Sequence, residues 1–206
     1  TPLYSSAASD VYKRQPIDAV YRFYPLDWFD GDDRLRSVAE GLRDSCHSIN
    51  PPGTLIPQSK AFLAILWELM AFDFYNEEEK AFIERYVPYT SLEETEVLGL
   101  DFVRKPLFER EGLGIGLSIA GGGVAFSETD SERMVFQQRQ DIGPLRITRC
   151  NTMELEKKTA YPVVGTYVAD QRCCGVFLRA GARITDNWAL YLPTYVKDEK
   201  KECEHE

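Results

Sequence analysis

The sequence predicts an α+β fold, a mixed helix/strand lobe followed by a mainly antiparallel sheet, together forming an incomplete domain. Two observations carry this. Segments with helical apolar spacing all fall before residue 90, while after residue 100 short apolar runs alternate with turn residues. The 206 residues suffice for one domain with two small lobes, and no internal repeat is visible.

Residues 1–15 have no clear period and read as a non-native or disordered leader, which implies a natural protein extending further towards its N-terminus. Residues 16–196 form the folded part, and 197–206 a charged, solvated tail. Ile17 to Tyr24 is half apolar and ends at Pro25, so it reads as a strand. Asp33 to Ser45 places Leu35, Val38 and Leu42 on one helix side, with His47 at a polar helix end. Asn50-Pro51-Pro52-Gly53 is a turn and Leu55-Ile56-Pro57 a short extended piece. Ser59 supplies a capping hydroxyl to a helix from Lys60 to about Phe72, and Glu77 to Tyr86 is a second, acidic helix. Leu100 to Lys105 is a strand stopped by Pro106, and Ile115 to Ile119 its return strand. Gly121-Gly122-Gly123 is a turn, Met134 to Gln138 a strand, and 141–158 has no readable pattern. Pro162 to Ala169 and Cys173 to Arg179 flank a turn at Asp170-Gln171, and Arg183 to Tyr191 closes the fold.

The net charge of −9 opposes a general nucleic-acid surface, though a small basic pocket can sit inside an acidic protein. The longest apolar run, Ala61 to Trp67, is far short of the roughly 20 residues that span a bilayer, so no membrane is expected. The five cysteines form no C-x-x-C pair, and Cys173-Cys174 would point to opposite faces of a strand. Reduced thiols and a cytoplasmic location follow as the reading.

Lys105 ends an apolar strand beside a charged loop, Glu109-Arg110-Glu111-Gly112-Leu113-Gly114. An ammonium there can hold a phosphate as a point charge, and glycine lets backbone N–H groups approach closely. A surface lysine beside an ordinary hairpin loop fits the same spacing. Lys60 opens an apolar helix, where the dipole disfavours a cation unless an anion is near. Gln137-Gln138 ends a strand with the donor and acceptor an adenine edge needs, or is simply a polar strand end. Arg179 ends Gly175-Val176-Phe177-Leu178, as an ion-pair partner or as a fork onto phosphate, with Thr185 a weaker companion.

These segments occur in an order and rough spacing that resembles the glutathionylspermidine synthase family. They are Ser59 to Leu69, Lys105 to Gly112, Gln137-Gln138, Val164 to Gln171, Arg179 and Ile184-Thr185, with Phe23 to Phe29 matching a tyrosine-proline-acid-tryptophan stretch. The resemblance runs from about residue 17 to 196. It implies a permuted ATP-grasp fold and an ATP-dependent ligase that joins a carboxylate to an amine through an acyl phosphate. It implies that Lys60 and Lys105 hold the nucleotide phosphates, with Glu111 and Gly112 on the covering loop. Gln137, Gln138, Arg139 and Gln140 would line the adenine pocket, with Val163, Ile184 and Thr185 touching the nucleotide. Arg179 would approach the reacting phosphate. The implied cofactors are ATP and Mg2+, whose ligands the family carries upstream of this stretch. The implied partners are a small acid and an amine, a peptide or polyamine among the candidates. Position 139 is arginine, and the stretch after Arg179 is one residue short of the family pattern. Two alternatives stay open: a non-catalytic relative that binds a nucleotide or a protein partner, and an interaction domain with no nucleotide site.

Overall fold

The computed structural model describes residues 17–29, 31–43, 46–118, 124–126, 133–151 and 154–195. The leader, the triple-glycine turn and the charged tail lie outside the described residues. The chain divides into two units, Thr1–Leu92 and Glu93–Glu206. Each is mixed or sheet-rich, and the whole is α+β with antiparallel sheets and few helices.

In the first unit, strand β1 is only Ala19–Val20, shorter than the run read from Ile17 to Tyr24. Its parallel partner β2 is His47–Ser48, two residues long, which limits the ladder. Beyond it the Asn50 carboxamide replaces the ladder, accepting from the Arg22 backbone N–H at 2.8 Å and donating to the Arg22 carbonyl at 2.6 Å. His47 therefore lies in a strand rather than at a helix end; helix α1 is Asp33–Arg43. Asp32 caps α1, its carboxylate accepting from the Arg34 backbone N–H at 2.9 Å. The Arg34 guanidinium closes on the same carboxylate at 3.0 Å, and these bonds hold Asp32 below the usual carboxylate range.

Leu55–Gln58 is a one-turn helix, α2, and not the extended piece read from Pro57. Proline is tolerated there because the first-turn N–H groups have no intrahelical acceptor to lose. Helix α3 is Ala61–Met70. The Ser59 hydroxyl accepts from the Ala61 N–H at 3.3 Å, so the capping role read for it is present. Helix α4, Glu77–Tyr86, carries a full capping box, in which Asn76 and Glu79 each bond the other's backbone N–H at 2.9 Å. The short strand β3, Thr90–Ser91, ends this unit, and Ala64 and Ile83 are its buried apolar centre. The Trp67 indole N–H reaches the Pro88 carbonyl at 3.1 Å, pinning α3 to the approach of β3.

The second unit is built on two antiparallel arrays. The first runs in the order β7-β4-β5-β6, with β4 Phe102–Pro106, β5 Gly116–Ser118, β6 Val124–Phe126 and β7 Met134–Gln138. Phe102 and Phe136 share one face with Pro106, all three buried, and the two rings meet edge to face at 6.0 Å; buried Val135 lies on the other face. The second array is β11-β10-β9-β8, with β8 Leu145–Asn151, β9 Glu154–Ala169, β10 Arg172–Gly181 and β11 Leu190–Leu192. Strand β9 pairs with β8 through its first half and with β10 through its second. Buried Ile147, Ala160 and Ala180 form a small core there, covered by Leu145, Leu190 and Leu192. The β9–β10 turn falls on Asp170-Gln171 as read, both at positive φ, 48° and 59°. A register shift between Cys173 and Gly175 makes Cys174 an extra residue, so strict alternation of the two cysteines is lost. Cys46, Cys150, Cys173 and Cys174 form no disulfide.

Candidate functional site

The register of β4 decides which side chains can meet a ligand. Val103 faces Leu117 of β5 and Gln137 of β7, and Lys105 faces Val135. Val103, Lys105, Leu117 and Gln137 therefore share the face opposite Phe102 and Phe136. Together with Ile115 they floor a hollow of about 310 Å³, near the small end of the range for small-molecule sites. The rim is the stretch where β7 gives out, Gln138 to Ile142. The facing wall is Arg183-Ile184-Thr185, in the connection between β10 and β11.

Among the described residues, three cations and one carboxylate line this hollow. The Lys105 ammonium donates to the Gln137 carboxamide oxygen at 2.6 Å, which fixes the amide's orientation. Arg139 sits between two carboxylates, 3.0 Å from Asp141 and 3.5 Å from Asp101, and its backbone N–H extends the β4–β7 ladder to the Asp101 carbonyl at 2.8 Å. The Arg183 guanidinium lies over the Tyr161 ring, 5.3 Å from its centroid. Apolar floor, polar rim and net positive charge suit an anionic ligand with a flat apolar part.

The glycine loop between β4 and β5 turns through three left-handed residues, Glu111, Gly112 and Gly114, at φ 60°, 78° and 70°. A Cβ on Gly112 would stand 2.7 Å from Ile184 Cγ2 and 3.0 Å from the Thr185 carbonyl oxygen. Asn187 donates its side-chain N–H to the Glu111 carboxylate. The loop thus packs on the segment that walls the hollow.

Of the residues read from the sequence, Lys105, Gln137, Gln138, Arg139, Gln140, Ile184 and Thr185 line one hollow, and Glu111 and Gly112 sit on the loop against its wall. Val163 and Arg179 pair across β9 and β10 and are not among the lining residues. Arg179 donates to the Asp186 carbonyl at 2.8 Å and stacks over Tyr191 at 5.5 Å. Its buried Nε has no hydrogen-bond partner among the described residues. Lys60 belongs to the first unit, at the start of α3. Sequence reasoning missed Val103, Ile115, Leu117, Asp141, Ile142 and Arg183. The alternation of Val103 and Lys105 along one strand was the available signal for the floor.

A family model described as glutathionylspermidine synthase preATP-grasp matches residues 5–197. The chain belongs to that family. A Haemophilus influenzae protein named "Putative acid--amine ligase" is 25% identical over 183 residues, covering 88% of this chain. The chain spans 42% of that relative's length. Within this member of the glutathionylspermidine synthase family, no group of three or more His, Cys, Asp or Glu side chains among the described residues could hold a metal. No helix among the described residues is long and apolar enough to cross a membrane.

Proposed function

We propose that this chain carries the nucleotide-binding portion of an ATP-dependent carboxylate–amine ligase on an ATP-grasp-type fold. The observation that supports this most is that Lys105, Gln137 to Gln140 and Ile184-Thr185, scattered over some eighty positions of a synthase-family chain, line one hollow. The hollow's chemistry fits a nucleotide: Val103, Ile115 and Leu117 offer an apolar bed for a base, and carboxamides at the rim offer donors and acceptors.

ATP, when bound, supplies the phosphoryl group that gives a carboxylate a leaving group an amine can displace. In this reading Lys105 balances phosphate charge as a point cation, and its bond to Gln137 keeps it in place before a ligand arrives. In this reading the Glu111-Gly112 turn, packed on Ile184 and Thr185, braces the wall of the site. Arg179 is not among the residues lining the hollow, so its assignment to the reacting phosphate rests on the resemblance. The roles given to Lys60 and Val163 rest on the resemblance alone. The residues described do not fit magnesium, so no step is routed through it. The substrates are proposed to be a small acid and a small amine.

Calorimetric titration of ADP tests the reading. Lys105→Ala is expected to weaken ADP binding at least about tenfold, the scale of one charge-assisted hydrogen bond. Equal affinity in the variant and the parent chain would remove the pocket from the proposal.

A further inference from the structure

The two arginines of the hollow differ in how much of their charge is already matched. Arg139 is held between Asp101 and Asp141. Arg183, on the facing wall, makes no ion pair among the described residues and rests its guanidinium on the Tyr161 ring. An aromatic face orients a planar guanidinium without neutralising it and without taking up its N–H donors. Such a group keeps its forked donor pattern available, which matches two oxygens of a phosphate. Position adds to this. Arg183 directly precedes the Ile184-Thr185 step on which Gly112 packs, so the guanidinium and the glycine turn are anchored to the same short segment.

We propose that Arg183, positioned by Tyr161, recognises the phosphate end of the nucleotide by a two-point contact. This rests on the proposed function and deepens it, because it assigns phosphate discrimination to a residue outside the motif set. It also makes Tyr161 a positioning residue, acting through the guanidinium it supports. The ligand class is a nucleoside di- or triphosphate in preference to the bare nucleoside.

The test is titration of ADP and of adenosine into the 206-residue chain and into Arg183→Gln, Arg183→Lys, Tyr161→Leu and Tyr161→Phe, with thermal melts confirming that each variant is folded. Arg183→Gln is expected to weaken ADP binding about tenfold while leaving adenosine unchanged. Arg183→Lys recovers only part of the loss, since an ammonium cannot fork. Tyr161→Leu reproduces part of it and Tyr161→Phe none, because the ring and not the hydroxyl does the orienting. If the parent binds ADP and Arg183→Gln binds it equally well, the inference fails and the proposed function stands. If Arg183→Gln weakens ADP and adenosine alike, the residue shapes the pocket and the phosphate role is overturned. If the parent chain binds neither compound, both fall together.

Discussion

A single hydrogen atom at Gly112 decides how closely the glycine loop meets its neighbour. With φ at 78° and only 2.7 Å between a virtual Cβ and Ile184 Cγ2, any side chain pays twice, in backbone strain and in overlap. Gly112→Ala is expected to lower stability by about 1–3 kcal/mol, read from the urea midpoint. An unshifted midpoint would mean that the loop does not pack on Ile184. The same residue shows what could be read from the chain. Lys105 and Gly112 stood out because a strand-ending lysine next to closely spaced glycines is a local pattern. Val103 and Leu117 did not, since their role exists only once β4 and β5 are registered. Arg183 left no signal either: an arginine after a strand resembles any solvated residue until a ring and a hollow are seen beside it.

Elements were legible in proportion to how local their causes are. Helix α4 was read with its observed bounds because Asn76, three acids in its first turn and Arg85 in its last all act within the segment. Asn76→Ala removes one half of the capping box and should cost about 1 kcal/mol, measured by thermal or urea unfolding. A loss below a few tenths would show that Glu79 alone suffices. Helix α2 was misread because Pro57 suggested an extended chain, although a first-turn proline is harmless. The pattern failed again over residues 155–159, which are exposed on both faces and so lack alternation, yet belong to β9 through pairing with β8. The turn that follows β9 offers the opposite test. Gln171 occupies a left-handed conformation without being glycine, so Gln171→Gly is expected to raise stability by about 1 kcal/mol. A fall in the melting temperature would count against the two-residue turn.

At the scale of the molecule, the charge of −9 sets the partners that can approach. Fluorescence anisotropy with a labelled DNA oligonucleotide in low salt is expected to show no binding, and saturable binding there would contradict the reading of the surface. The order of helices first and antiparallel strands later was visible in the sequence, because apolar period is a property of each segment. How those strands join was not, since β9 contributes 16 residues to two different hairpins and only half of it carries an apolar signature. That shared strand works as a common ruler. Both hairpins are indexed to one backbone, so a residue inserted near Ala160 would turn the whole β10 edge over while leaving β8 in frame. Extra length can instead enter at Asp170-Gln171, beyond the last paired residues. For anyone attaching a peptide tag or a fluorophore, that tip is the place where the chain can be opened without resetting either scale.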